Sequence, residues 1–167
     1  MNQYTRRLFL PLLLALIAVQ MIYFYPKLPA VIASHFGGQG VPNGWMSRDF
    51  SLVFHLILLS GMLAVFFGIP KILRRIPVAL INLPHKEYWL APGRAEESLR
   101  DFETRFNLFG LAVIAFQTAV LQLVYQANLT PSPRLPSVPF VTLMALFFVA
   151  LAAFLISIFR RFGKPPE

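Results

Sequence analysis

The chain of 167 residues contains no cysteine, and only 13% of its residues are charged. The lack of cysteine excludes a disulfide framework, thiolate metal sites and a cysteine nucleophile. The scarcity of charge, together with 57% apolar residues, excludes a disordered chain. It is also unusual for a soluble globular protein, in which about 25% of residues are charged. The composition therefore indicates a membrane protein.

Four long apolar runs account for this composition. They cover residues 8–25, 52–69, 108–127 and 140–159, and none of them contains Asp, Glu, Lys or Arg. Each approaches the roughly 20 residues that a helix needs to cross about 30 Å of hydrocarbon. Because lipid cannot hydrogen-bond the backbone, each run must be helical. We predict a single domain over residues 1–167, an all-α integral membrane protein that forms a four-helix transmembrane bundle.

The lysines and arginines are distributed unevenly around these runs. Two precede the first run, seven lie between the second and third, and three follow the fourth, so twelve of fifteen are on one side. The positive-inside rule then places both termini and the loop 70–107 in the cytoplasm, and the loop 26–51 outside. A signal peptide is the main alternative for residues 1–25. Its apolar core would be about 7–15 residues and would precede a small-x-small cleavage site, which is missing here.

The outer loop has more turn chemistry and aromatic character than a connector requires. The apolar spacing between residues 28 and 36 predicts a short amphipathic helix after Pro29. The glycines at 37, 38 and 40 and the sequence Pro42-Asn43-Gly44 predict turns. Trp45 is a candidate interfacial anchor. We therefore expect residues 26–51 to form a folded outer cap.

The inner loop divides into two parts. Residues 83–92 are aromatic and turn-rich, whereas residues 94–107 have helical spacing with i,i+4 pairs of opposite charge, which predicts a helix leading into the third span. Tyr88 and Trp89 are interpreted as interface anchors, with a binding site as the alternative. Seven basic and five acidic residues leave a weak positive field. Such a field favours anionic lipid headgroups and is too sparse to indicate nucleic-acid binding.

Histidines are the main candidates for metal chemistry. The predicted topology allows His35 and His55 to lie close together near the outer side of the membrane. His85 is predicted on the cytoplasmic side and cannot join them. A zinc site normally needs three or four protein ligands, and Asp49 is the one obvious third ligand. The simpler interpretation is that His35 pins the loop and His55 faces other helices. We predict no metal and no cofactor.

The remaining polar residues do not form a catalytic motif. The sequence has no Gly-x-Ser-x-Gly element, no phosphate-binding glycine loop and no paired zinc-ligand helix, so we predict that the protein is not an enzyme. Asn128-Leu129-Thr130 matches a glycosylation sequon and is interpreted as a chance match. Polar residues within the spans and the small-residue pairs Ala64/Gly68 and Ala115/Ala119 are interpreted as helix-packing positions.

Several outer-loop residues resemble a known family. They are Leu28-Pro29, Ile32, His35-Phe36, Gly40, Asn43-Gly44-Trp45 and Ser47-Arg48. The pattern resembles the small bacterial membrane domain of unknown function found in the immunity protein of the sporulation-delaying toxin system, which commonly has Asp and Lys where this chain has Asn43 and Arg48. The inner-loop stretch from residue 82 to 92 also resembles a segment of relatives. The resemblance implies a multi-pass protein of the bacterial inner membrane, toxin protection, and signalling to a cytoplasmic repressor.

Recognition by the outer cap is the leading functional hypothesis. The predicted contact residues are His35, Phe36, Trp45 and Arg48; the predicted loop-shaping residues are Pro29, Gly40, Asn43 and Gly44; the predicted cytoplasmic-loop residues are Asn82, Pro84, Tyr88 and Trp89. Expected partners are membrane lipids and a protein partner or oligomer. One alternative is an accessory or scaffold subunit of a larger membrane complex. Another is a small transporter or membrane metalloprotein that uses His35 and His55.

Overall fold

A computed structural model describes the backbone of residues 3–165 and the side chains of residues 8–165. The side chains of Arg6 and Arg7, which contribute to the charge distribution, lie outside the described part. The long helices are α1 (Gln3–Phe24), α2 (Arg48–Leu63), α5 (Ala95–Asn128) and α6 (Ser137–Phe162). A π-helical turn, Ala64–Gly68, joins α2 to α3 (Ile69–Leu73), and α4 (Lys86–Trp89) lies in the loop before α5. Strands β1 (Val31–Phe36) and β2 (Pro42–Ser47) lie between α1 and α2.

The four predicted spans are confirmed as helices. Four helical segments are long and apolar enough to cross a membrane: Leu8–Lys27, Arg48–Leu73, Ala95–Asn128 and Ser137–Phe162. Their outward faces carry exposed apolar side chains, among them Ile22 and Val138. The chain is therefore a multi-pass membrane protein of mostly helical fold, with one small two-stranded sheet.

Helix α5 is the centre of the bundle and contacts α1, α2, α3 and α6. The helix predicted for residues 94–107 is confirmed as its first part, continuous with the third span. With 34 residues, α5 is about 51 Å long and exceeds the thickness of the hydrocarbon by about 20 Å. The π-helical turn approaches α5 at Gly110, where any Cβ atom would overlap the side chain of Phe66. Gly110 therefore allows the π-helical turn to pack closely against α5.

The amphipathic helix predicted after Pro29 is wrong, because residues 31–36 form β1. β1 pairs antiparallel with β2, and Ile32 lies opposite Met46. This pair faces the helices and packs on a buried cluster that includes Phe24, Leu121 and Tyr125. The cluster provides the apolar surface on which the inward face of the hairpin packs, and the next residue, Ala33, is buried as well.

The turn predicted at Pro42-Asn43-Gly44 is also wrong, because these residues begin β2. Proline is tolerated as the first residue of a strand, where its missing N–H disturbs the ladder least. The chain reverses instead over residues 37–41, where the Gly37 N–H donates to Val41 O at 2.8 Å. At the other end of β2, the Ser47 hydroxyl accepts from the Phe50 N–H at 3.1 Å and caps the start of α2.

Candidate recognition surface on the hairpin

Asn128, the last residue of α5, clamps β1 to the helix bundle. Its Oδ1 accepts a hydrogen bond from the Ala33 N–H at 2.7 Å, and its Nδ2 donates to Ala33 O at 2.9 Å. The same Nδ2 donates to Val124 O at 2.9 Å. Ala33 is fully buried and Asn128 is only 4% exposed, so water does not replace these bonds. The Asn128 side chain thus hydrogen-bonds both backbone groups of Ala33, as a further strand beside β1 would.

The tip of the hairpin is held by the loop between α5 and α6. Gly40 has φ +73°, and its carbonyl accepts from the Leu135 N–H at 2.9 Å. A Cβ atom at position 40 would overlap Leu135 O, so both conformation and space require glycine there. Arg134 Nε donates to Gln39 O at 3.3 Å. The hairpin is therefore attached to this end of the bundle at its tip and at its middle.

Arg48 lies against its own chain instead of on an open contact surface. One of its terminal nitrogens donates to Tyr25 O at 3.3 Å and to Leu28 O at 3.2 Å. Its guanidinium carbon lies 4.5 Å from the centroid of the Tyr25 ring, and its Nε lies 3.4 Å from Asp49 Oδ1. The structure thus gives Arg48 a positioning role at the end of α1, because its donors are directed to backbone carbonyls.

The other predicted hairpin residues occupy different faces. His35 is exposed and lies opposite Gly44, where an added Cβ would approach the His35 Cβ to 3.0 Å. Phe36 is half-buried opposite Pro42, and Asn43 is exposed. Gly44 therefore gives the His35 side chain the space to lie across β2.

A groove of about 560 Å³ lies between the hairpin and residues 129–133. Trp45, 56% exposed, and Val31, 55% exposed, contribute apolar surface from the two strands. Pro29 and Pro131 add further rigid apolar surface. Lys27 supplies a positive charge; its ammonium lies 3.1 Å from the centroid of the Tyr23 ring, and no carboxylate pairs with it among the described residues. Of the predicted contact residues, Trp45 is the one that lines this groove.

Each of the two histidines considered as metal ligands has its own hydrogen-bond partner, close to it in sequence. In α2, His55 Nδ1 lies 2.6 Å from Ser51 O, a bond within its own helix. His35 Nδ1 lies 3.4 Å from the hydroxyl oxygen of Ser34. Residues 8–165 contain no group of three or more His, Cys, Asp or Glu side chains placed to hold a metal ion.

Trp89 is buried inside the protein, so its interpretation as an interface anchor is wrong. It is 5% exposed, and its Nε1–H donates to Phe162 O at 3.2 Å. The guanidinium carbon of Arg161 lies 4.6 Å from its ring centroid, and Arg161 Nε pairs with Asp101 at 2.5 Å. Trp89 therefore joins the inner loop, the base of α5 and the end of α6.

The other predicted inner-loop residues lie around this contact. Tyr88 is half-buried, with the Arg94 guanidinium carbon 4.1 Å from its ring centroid. Asn82 and Pro84 are exposed, and Asn82 also lines a small cavity of about 140 Å³ together with Phe102. These residues do not meet the hairpin, which lies at the opposite end of α5.

Comparison with known proteins supports a membrane domain of unknown function. Residues 12–61 match the family model of a domain of unknown function, DUF1648. The matched stretch includes most of α1, the whole hairpin and most of α2, which is less than a third of the chain. No curated protein and no solved structure matches the chain. The match thus covers the groove residues on the hairpin but not Asn128 or the loop after it.

Proposed function

We propose that this chain is a non-catalytic recognition protein of the bacterial inner membrane that binds a partner in the groove beside Trp45. The observation that carries the proposal is an exposed tryptophan on a hairpin that buried hydrogen bonds fix to the bundle, beside Lys27, which has no carboxylate partner among the described residues. An exposed aromatic side chain on a rigid support loses little conformational entropy on binding. The uneven distribution of lysine and arginine supports a topology with the hairpin outside and both termini in the cytoplasm.

The chemistry of the groove indicates the kind of partner. Trp45, Val31 and the prolines present apolar surface, and Lys27 presents one positive charge at the end of α1. A complementary ligand carries apolar side chains and a nearby carboxylate or phosphate. A short amphipathic peptide segment with an acidic group fits this description. Toxin protection, which the family resemblance implies, is compatible with such a ligand.

Helix α5 provides a physical connection between the two ends of the protein. Asn128 attaches the hairpin to its last residue, and Asp101 holds Arg161 at its base. A continuous helix transmits a shift of one end to the other without bending at a loop. We therefore extend the proposal to the inner loop, where binding in the groove would alter the contact between Trp89 and the end of α6. Such a change at the inner loop would match the signalling role that the family resemblance implies.

Replacing Trp45 by alanine is expected to abolish partner capture while leaving the fold intact. Trp45 supplies the largest exposed apolar surface in the groove, and truncating an aromatic contact at the centre of an interface costs about 2 kcal/mol or more, which is roughly a thirtyfold loss of affinity. The measurement is quantitative mass spectrometry of proteins and peptides that co-purify from native membranes in mild detergent. Val41→Ala is the matched control, because Val41 is 51% exposed on the same hairpin but outside the groove. Equal recovery of every co-purifying species with both variants would contradict binding at Trp45.

A further inference from the structure

A second groove, of about 650 Å³, runs between α1 and α5 within the membrane-spanning part. Both helices run towards the hairpin, since β1 follows α1 and Asn128 ends α5. Leu13, Leu16 and Ala115 line the half of the groove that is farther from the hairpin. Leu16 is 57% exposed and Ala115 is also exposed, so the pair Ala115/Ala119 does not pack inside the bundle as the sequence suggested. This half of the groove is therefore apolar and open to the surrounding lipid.

Polar side chains line the half of the groove that is nearer the hairpin. Gln20 Nε2 donates to Gln122 Oε1 at 2.8 Å, which leaves Gln122 Nε2 without an acceptor among the described residues. This nitrogen is not enclosed by the chain, unlike Gln20 Oε1, which is buried without a donor. Gln126, one turn further along α5, is exposed, and its side chain makes no hydrogen bond within residues 8–165. The groove thus presents N–H donors that lack acceptors close to the end of a spanning helix.

Lys27 adds a positive charge at the end of the groove next to the hairpin. Its ammonium nitrogen lies 3.1 Å from the centroid of the ring of Tyr23, which lines the groove. The side chains that line the groove are themselves uncharged. Gln122 and Gln126 are separated by about 6 Å along α5. This separation matches the roughly 5–8 Å that the headgroup and interfacial region adds on each side of the hydrocarbon.

From this order of groups we infer that the α1/α5 groove binds one phospholipid. Its phosphate pairs with Lys27, its ester carbonyls accept from the amides of Gln122 and Gln126, and an acyl chain lies against Leu13 and Leu16. Lipid is the medium around an open groove in a spanning segment, and a phospholipid carries a charge, acceptors and an apolar chain in this order. A transmembrane helix fits less well, because its backbone carbonyls are already hydrogen-bonded within the helix.

The lipid site does not depend on the partner proposed for the hairpin groove. Lys27 lines that groove as well, so a lipid phosphate and the acidic group of a partner would compete for one ammonium group. The test is therefore made on the purified chain with lipids alone, and its outcome is separate from that of partner capture.

Native mass spectrometry of the purified chain in mild detergent measures lipid binding. The probes are dioleoylphosphatidylglycerol, dioleoylglycerol, which has the same acyl chains but no phosphate, and inorganic phosphate. We expect one phosphatidylglycerol per chain, bound about tenfold more tightly than dioleoylglycerol, because the latter lacks the charged hydrogen bond. Lys27→Gln should remove this difference, whereas Arg134→Gln, at an exposed arginine beside the hairpin tip, should keep it. Equal binding of the two lipids by the unmodified chain, or binding of inorganic phosphate as tight as that of phosphatidylglycerol, would overturn the inference.

Two further variants test the rest of the site. Gln126→Leu should weaken both lipids by a similar factor, because both carry ester carbonyls. Ala115→Phe fills the apolar half and should abolish lipid retention, whereas Ala152→Phe, at an exposed position of α6, should leave it unchanged. Circular dichroism checks that each variant is folded. Equal retention by the two phenylalanine variants, or a bound protein in place of the lipid, would refute the site.

Discussion

Replacing Asn128 by leucine is expected to destabilise the protein by about 2–6 kcal/mol. The substitution leaves the N–H and the carbonyl of Ala33 buried without partners, and each such group costs about 1–3 kcal/mol. Leucine fills the space of the asparagine side chain, so the loss of stability reflects the missing hydrogen bonds and not a cavity. The thermal unfolding midpoint in mild detergent should fall. Hydrogen exchange of residues 31–36 should accelerate more than that of the helices, because the hairpin detaches first.

Asn82→Leu serves as the control for this experiment. Asn82 is exposed in the inner loop, and its side chain makes no hydrogen bond in the described part of the chain. The same chemical change there should leave the unfolding midpoint nearly unchanged. If Asn128→Leu had as little effect as Asn82→Leu, the hairpin would not depend on the clamp.

Replacing Trp89 by alanine is expected to cost about 3–5 kcal/mol, the usual range for truncating a buried tryptophan. The change removes the ring that Arg161 covers and the hydrogen bond to Phe162 O. The end of α6 should then separate from the inner loop. Limited proteolysis near residue 162 measures this separation, alongside the unfolding midpoint in detergent.

The chain has a second tryptophan that provides a matched control. Trp45 is 56% exposed, so Trp45→Ala should change the free energy of unfolding by less than about 1 kcal/mol. The two variants are thus expected to separate: Trp89→Ala loses stability, and Trp45→Ala loses partner capture. Equal loss of stability in both would contradict the assignment of Trp89 to the packed interior and Trp45 to the groove.

The helical part of the fold could be predicted from the sequence because a lipid environment excludes most backbone conformations other than the helix. Runs of about 20 apolar residues have to be helical in a membrane, and prolines and charged residues mark where they end. The amphipathic pattern of residues 94–107 predicted the part of α5 that projects beyond the membrane. The helices extend several residues past the apolar runs, since polar residues such as Arg48 continue a helix outside the hydrocarbon.

The hairpin was missed because its apolar spacing fits two structures. Residues 28, 31, 32 and 36 have helical spacing, yet Val31 and Ile32 are β-branched, and within β1 Ile32 packs in the buried cluster whereas Val31 is exposed. What decides between helix and strand is the surface beneath, formed by Leu121 and Tyr125 far along the chain. Tertiary packing of this kind overrides local pattern.

Asn128 could not have been identified from its local sequence. Its neighbours match a glycosylation sequon, and its functional contact is with Ala33, 95 residues away. The one available signal was an amide residue at the end of an apolar helix, where the chain must satisfy backbone groups near the membrane. Trp89 was misplaced for a similar reason, because its partner Phe162 is 73 residues away.

Photo-cross-linking at position 45 in living cells tests the central claim most directly. A photoreactive amino acid replaces Trp45 in one variant and Val41 in the other, and the adducts are identified by mass spectrometry. Recognition in the groove predicts one defined adduct from position 45, containing an acidic amphipathic peptide or protein segment, and none from position 41. Only lipid adducts, or the same adducts from both positions, would contradict the claim that this groove is where the protein recognises its partner.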